Sequence, residues 1–383
     1  MYDEVIEAIT QAMRTHYGNP SSLHRLGLEA EQLMKQCRKI VAGLLHCKPN
    51  EIIFTSGGTE SNNLAIKGTA FTREKRGKHI ITSLIEHPSV YESTMQLEKQ
   101  GFRVTYLPVD RTGSIQIDDV RKAIEDDTIL VSLMHVNNEM GRIQPVEAVG
   151  QLLRQYPKII YHVDAIQSVG KLQVIPQQLG ADLLSISAHK FGGPKGAGIL
   201  YRRSGLELRP EIVGGGQEFG LRSGTENVSL IAGMAKALQI TMEQRLEDSQ
   251  TMYRLRERLL SRVAEIDGLF ITGSDIMGEM APQIVHLCIP GMRAEVVIHA
   301  LEQQEICIST RSACSSGLIQ PSRVLLSMGM GTEHARSGLR VSYSADQTWE
   351  DIDYFVDSLQ KVIRDLKQPM RAYTASKQNN RRR

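Results

Sequence analysis

Residues 158–196 read KIIYHVDAIQSVGKLQVIPQQLGADLLSISAHKFGGPKG, and the fold turns on them. Two short apolar runs, KIIYHVD and DLLSIS, have the length and β-branched content of strands. The first ends on a carboxylate, Asp164, with Gln167 three residues on. The second ends on Ser187, and His189, Lys190 and the tight turn FGGPKG follow. Lys190 thus comes directly after a strand that must be buried to read DLLSIS. Burying a carboxylate at the end of an apolar strand is costly unless it meets a cation.

Working outward, EIIFTS, KHIITS, FRVTYLPV, TILVSLMHV and AGILYRR read as further strands, with helical stretches such as SVYESTMQLEKQG and VEAVGQLLRQY between them. Strand–helix alternation predicts an α/β fold with a mixed, mainly parallel sheet and helices on both faces. In such sheets ligands sit beyond the carboxyl ends of the strands. A long helix is expected over about 226–265, followed by strands LFITG, QIVHLCIP, EICIST and GLRVSYS. In the last helix Ile352, Phe355, Val356, Leu359, Val362, Ile363 and Leu366 share one face. Thr348 and Asp351 have capping-box spacing before it.

The chain has 383 residues, more than one ordinary domain holds. We expect a large domain over 16–250 and a smaller α+β C-terminal domain over 251–370, which carries a cysteine loop at 309–323. Residues 1–15 are expected as a helix packing with the small domain, and 371–383 as a basic tail. A formal net charge of +2 gives no field that favours nucleic acid or a membrane surface. No apolar run reaches transmembrane length, and the amphipathic start MYDEVIEAITQAM is not a signal peptide. The five cysteines are odd in number and lack C-x-x-C spacing, which speaks for a reducing compartment, the cytoplasm, and against a disulfide framework or metal site.

The groups following each strand converge on one rim. After EIIFTS come Gly57, Gly58, Thr59 and Glu60 before a helix, which reads either as an anion cradle or as a plain tight turn. His87 follows KHIITS, with Pro88 suited to a helix start. Asn137, Asn138 and Glu139 follow TILVSLMHV. Each residue has a bland reading alone; their common placement does not. An aspartate for a ring nitrogen and a lysine for a Schiff base are the two groups that pyridoxal phosphate requires. Asp164 and Lys190 meet that need, the cradle suits the phosphate, and His87 suits stacking on the ring and proton shuttling. Asn138 and Gln167 are placed to bond the ring oxygen or the substrate.

Cys314, in STRSACSSG (309–317), has only Ala313 as an apolar neighbour and is read as either incidental or meant to be reached. Cys37, Cys47, Cys288 and Cys307 lie in apolar helix or strand patterns and are expected in the core.

The motifs FTSGGTESNNLAIKG, EHPSV, NNEMG, VDAIQSVGK, SAHKFGGPKGAG, GGGQEFGLRSGTENV, STRSACSSG and LRVSYS together resemble the cysteine desulfurases of the NifS/IscS kind. These are fold-type-I pyridoxal phosphate enzymes related to the class-V aminotransferases. The resemblance implies that Lys190 carries the cofactor, Asp164 pairs with its pyridinium and Gln167 with its hydroxyl. It also implies that Gly58, Thr59, Ser187 and His189 hold the phosphate and that His87 stacks on the ring. Thr225 would reach the phosphate of a neighbouring subunit's cofactor, hence a homodimer. Asn138 and Arg340 would bind the substrate carboxylate, a task suited to the arginine fork. Cys314 would accept sulfur from L-cysteine as a persulfide. A sulfur-acceptor protein would take it on, for iron–sulfur cluster assembly, tRNA thiolation or a thiamin-pathway carrier. No direct nucleic acid or metal is implied. Family members usually open on a strand and loop like YLDNAATT, whereas this chain opens at MYDEVIEAIT. One alternative is a related pyridoxal phosphate enzyme, a selenocysteine lyase, a cystine β-lyase or an aminotransferase, the cysteine loop speaking against the last two; the other, which that departure allows, is a weakly active sulfur-relay scaffold.

Overall fold

In the computed structural model, seven strands build one sheet: β1 (Ile52–Thr55), β2 (His79–Ser83), β3 (Arg103–Leu107), β4 (Thr128–Met134), β5 (Ile160–Asp164), β6 (Leu183–Ser187) and β7 (Gly198–Arg202). Their order is β1-β7-β6-β5-β4-β2-β3. β7 runs antiparallel to both β1 and β6, and the remaining pairs are parallel. β4, β5 and β6 are buried at every position, as strands covered by helices on both faces must be. The structure describes residues 1–310 and 321–380, with side chains to Lys367.

The helices are α1 (Asp3–Thr15), α2 (Arg25–Leu44), α3 (Gly58–Arg73), α4 (Pro88–Glu98), α5 (Ile117–Ala123), α6 (Val146–Leu153), α7 (Pro176–Leu179), α8 (Val228–Val263), α9 (Ala294–Glu302), α10 (Arg323–Ser327), α11 (Thr332–Arg336) and α12 (Trp349–Asn380). Three further strands, β8 (Phe270–Ile271), β9 (Ile284–Cys288) and β10 (Gly338–Ser342), form an antiparallel sheet in the order β10-β9-β8. Among the described residues no helix is long and apolar enough to cross a membrane.

The chain divides into two units. The larger comprises Met1–Asp110, Ser114–Asn137 and Arg142–Leu246, and the smaller Arg111–Gly113, Asn138–Gly141 and Glu247–Arg383. In the smaller unit, Leu255, Leu259, Val285, Leu287, Val297, Leu339 and Leu359 form the core. The expected capping box of α12 is present: Thr348 N–H donates to Asp351 Oδ2 at 2.8 Å and Asp351 N–H to Thr348 Oγ1 at 3.2 Å.

Three expectations need correction. Helix 1–15 packs in the larger unit rather than the smaller, because Val5 and Ala12 join that unit's core and Gly233 of α8 leaves room for Ile9. EICIST is not a strand: Glu305 takes a left-handed turn (φ 60°), and only Ser309 pairs, as an isolated bridge to Arg340. The backbone of α12 stays helical to Asn380, through most of the stretch expected as a tail, where no Gly or Pro interrupts it.

Candidate active site

The strand ends of the larger unit bring the cradle together. Gly57 takes φ 150°, a conformation reserved for glycine, and its carbonyl accepts the Ser61 N–H at 3.1 Å as α3 begins. A Cβ on Gly58 would stand 2.1 Å from Ile166 Cδ1 and 3.4 Å from Ser187 Cβ. Side chains from the ends of β5 and β6 therefore press against the first turn of α3, where unpaired N–H groups and the positive dipole end favour an anion. Thr59 is exposed in that turn. Ser187 Oγ is hydrogen-bonded with His189 Nδ1 at 2.9 Å. Desolvation and the ammonium groups of Lys190 and Lys195 lower the His189 pKa, which favours the neutral ring.

Asp164 closes β5 and is buried. It meets hydrogen-bond donors rather than the cation its position suggested. Oδ2 accepts from Asn62 Nδ2 at 2.8 Å and Oδ1 from the Ile166 N–H at 3.0 Å. Desolvation raises its pKa, a rise that His87 would oppose if it took up a proton and that these donors oppose as well. Asn62 Nδ2 also donates to Ser89 Oγ at 2.8 Å. Ser89 Oγ lies 2.8 Å from His87 Nδ1, which accepts from the Ser89 N–H at 3.1 Å. That acceptor role leaves the His87 proton on Nε2 and makes the Ser89 hydroxyl the donor to Nδ1. Asp164, Asn62, Ser89 and His87 thus form one chain of hydrogen bonds. Sequence reasoning missed Asn62 and Ser89, because a polar residue near the start of a helix carries no local sign of what it faces.

Lys190 ends a single 3-10 turn, Ala188–Lys190, that follows β6 directly. β6 neighbours β5, with Ser185 opposite Asp164. Lys171 Nζ donates to the Lys190 carbonyl at 2.5 Å, fixing the main chain from which that side chain departs. Gln167 is half-buried in the turn after β5. Thr225 is exposed in the stretch before α8, tied toward α3 by the Arg222 Nε–Glu60 Oε1 pair at 2.9 Å.

The smaller unit brings Asn138 and Arg340 together: Arg340 Nη1 donates to the Asn138 carbonyl at 2.9 Å. Cys314 lies outside the described residues. Burial pushes the Cys37 thiol up to about 11 and those of Cys47 and Cys288 up to about 12, so none serves as a ready thiolate. Cys37 and Cys288 are core residues and Cys47 is half-buried, but Cys307 is exposed, contrary to expectation. Ile306 and Ile308 face the core, and the alternation turns Cys307 outward.

The residues present fit pyridoxal phosphate. A buried carboxylate with only neutral donors calls for a cationic partner, and Asn62 Oδ1 is buried without a hydrogen-bond partner. A Cβ at Gly58 would collide with Ile166. The fold and rim together define a fold-type-I pyridoxal phosphate enzyme.

The family model described as aminotransferase class-V matches residues 1–355. A NifS/IcsS protein homolog from Lactobacillus delbrueckii subsp. bulgaricus is 44% identical over 94% of this chain and 94% of its own. A cysteine desulfurase IscS from Dictyoglomus turgidum is 42% identical, covering 95% and 92%. A solved NifS-like protein superposes with a TM-score of 0.89 at 39% identity, covering 95% of this chain and 96% of its own. The chain belongs to the class-V aminotransferase family and, within it, to the NifS/IscS cysteine desulfurases.

Proposed function

We propose that this chain is a pyridoxal 5′-phosphate-dependent cysteine desulfurase in which Lys190 carries the cofactor and Cys314 receives the sulfur. The observation that carries this reading is the buried Asp164 at the end of β5, on the strand next to the one Lys190 follows. When bound, the cofactor supplies an electron sink for charge developing at the substrate α-carbon. Asp164 would hold a proton at the ring nitrogen, oriented by Asn62. Gly58, Thr59, Ser187 and His189 would hold the phosphate, and Gln167 the ring hydroxyl. Lys190 would take the α-proton, His87 would stack on the ring and pass protons, and Asn138 and Arg340 would bind the substrate carboxylate.

The net step balances without an added oxidant. L-cysteine and the Cys314 thiol give L-alanine and a Cys314 persulfide. The substrate C–S bond breaks, an S–S bond forms, and the proton of the attacking thiol is matched by one gained at the alanine methyl. Carbon is reduced as sulfur is oxidised.

Within this reading the enzyme is a cytoplasmic homodimer. Thr225 serves the neighbouring subunit's cofactor, and an acceptor for iron–sulfur cluster assembly or tRNA thiolation takes the persulfide. The exposed loop placement of Thr225 and the odd cysteine count support these points. No observation favours the lyase or relay alternatives. The test is absorbance together with labelled sulfur. The protein should show a near-visible band that Lys190→Ala abolishes, and sulfur from L-cysteine should appear on Cys314 with matching alanine. A lyase would keep its alanine output in Cys314→Ala, and that result would overturn the reading.

A further inference from the structure

The hydrogen bonds that run from Asp164 to His87 have a direction, and all four residues belong to the larger unit. A carboxylate can only accept. It turns the Asn62 amide so that Nδ2 faces it, and the second hydrogen of that nitrogen goes to Ser89 Oγ, each at 2.8 Å. The opposite amide orientation would set Asn62 Oδ1 against Asp164 Oδ2, acceptor against acceptor. Ser89 Oγ, accepting from Asn62, keeps its single hydroxyl proton for His87 Nδ1 at 2.8 Å. Asn62 and Ser89 are both buried, so water competes little for these bonds.

Helix capping does not account for the hydroxyl. His87 is the N-cap of α4 and Pro88 its first residue, so the cap is complete once Nδ1 accepts the Ser89 N–H at 3.1 Å. The main chain of His87 is held separately, its carbonyl accepting the Val90 and Tyr91 N–H groups at 2.9 and 3.0 Å. The preceding Glu86 is buried and accepts the Ser83 hydroxyl at 2.5 Å and the Met134 N–H at 3.2 Å. The Ser89 hydroxyl is a second donor on a nitrogen that the cap already uses. What it adds falls on the protons of the imidazole, not on the backbone.

We propose that Ser89 is a positioning residue for His87: the negative charge of Asp164, passed on through Asn62 and the Ser89 hydroxyl, sets the imidazole's tautomer. The one proton that His87 has to give then stands on Nε2, and Nδ1, with two donors on it, is closed to another. In that state the ring gives a hydrogen bond at Nε2 and accepts none there. This inference rests on the roles given above to His87 and Asp164. It ties them together: the carboxylate that would hold a proton at the cofactor's ring nitrogen also decides which nitrogen of the stacked imidazole carries one.

The experiment is solid-state NMR of the full-length, cofactor-loaded protein with isotope-labelled histidine ring nitrogens. The His87 signals are those that His87→Gln removes, and the other histidine signals report that each variant is folded. The wild type should show Nε2 protonated and Nδ1 unprotonated, with Nδ1 shifted upfield as an imine nitrogen is when it accepts hydrogen bonds. Ser89→Ala should move the Nδ1 signal downfield, and Ser89→Thr, which keeps the hydroxyl, should restore it. Asp164→Asn, examined as the full chain whether or not it retains cofactor, tests the far end. The Ile166 N–H, which donates to Asp164 Oδ1 at 3.0 Å, would hold the new amide's oxygen and turn its NH2 toward Asn62. Asn62 must then present Oδ1, the Ser89 hydroxyl turns to it, and Nδ1 should shift as in Ser89→Ala. A proton on Nδ1 in the wild type, or a wild-type Nδ1 signal in either Ser89→Ala or Asp164→Asn, would overturn the proposal. If Ser89→Ala does not fold, Ser89→Cys, a weaker donor, should move Nδ1 the same way by less, and no movement would overturn it too. The near-visible band reads the underlying assignment separately: its absence beside this Nδ1 pattern defeats the proposed function and leaves the imidazole's tautomer explained.

Discussion

Asn62, on the first turns of α3, donates a side-chain hydrogen bond to Asp164 at the end of β5 at 2.8 Å. The two are far apart in the chain, and the bond joins the helix that forms the cradle to the strand that carries the buried carboxylate. The glycine turn and the buried carboxylate proposed to face the cofactor's ring nitrogen are thereby tied to each other, the kind of preorganisation that electrostatic catalysis needs.

Removing that bond should be felt twice. Asn62→Ala leaves the Asp164 carboxylate buried with the Ile166 N–H as its remaining donor, at a cost of about 1–3 kcal/mol. It also favours the protonated carboxyl, which grips a cationic ring less well. Lower urea midpoints and faster cofactor loss on dialysis are expected; wild-type values for both would remove Asn62 from the site.

Gly58→Ala tests the cradle. The new methyl displaces Ile166, whose Cδ1 and Cγ1 would lie 2.1 and 2.9 Å away. Because Ile166 is a flexible side chain, the protein should fold. Retention of pyridoxal phosphate should drop at least about tenfold, since backbone approach is what a phosphate cradle offers. Equilibrium titration followed by absorbance reads this directly.

Arg38 and Glu218 make a forked ion pair in the larger unit. Arg38 Nη1 and Nη2 fork onto Glu218 at 2.8 and 2.6 Å, and Glu218 also accepts the Phe54 N–H at 2.8 Å. Glu218 and Phe219 both sit at positive φ, 47° and 59°, and the guanidinium lies over the Phe54 and Phe219 rings. Arg38→Ala strands a carboxylate that is 1% exposed and should cost about 3–5 kcal/mol. Arg38→Lys should recover only part, because an ammonium cannot fork. Adding Glu218→Gln to Arg38→Ala should return some stability in urea unfolding; a purely additive double would contradict the pairing.

Acid should destabilise both units through buried histidines. His162 is hydrogen-bonded with Ser132 Oγ at 2.8 Å and Ser185 Oγ at 2.9 Å, and desolvation lowers it to about 3. His286, bonded with Thr272 Oγ1 at 2.9 Å, is lowered to about 4 by burial and then by Arg340. Unfolded, both take a proton near pH 6.5. Depressed folded values mean that the unfolded state binds more protons below that pH. The contribution is complete above about pH 6.5 and is lost as pH falls toward the folded values, at up to about 1.4 kcal/mol per pH unit for each histidine. His286→Gln should flatten the smaller unit's pH dependence between about pH 6.5 and 4 by one histidine's share; an unchanged slope would show His286 already charged in the folded protein.

The rim was legible because its markers are local. An apolar run ends where a polar or glycine residue interrupts it, and strand direction then puts Gly58, His87, Asp164 and Lys190 at carboxyl ends. EICIST misled for the same reason: its composition suits a strand, but Glu305 turns left-handed and no neighbouring strand completes a ladder. Asn62 and Ser89 were invisible because a polar residue near a helix start looks the same whether it faces water or a buried carboxylate.

From the order of its residues alone, the chain determined its sheet-and-helix class, the strand ends that gather the site, and the lysine and aspartate suited to one cofactor. Periodicity and strand termination act over a few residues. Tertiary structure alone decided that Asn62, not a cation, meets Asp164, that α1 packs in the larger unit, and that Asn62 also reaches Ser89. Those outcomes depend on which distant segments the buried core brings within hydrogen-bond distance, and no local pattern encodes that.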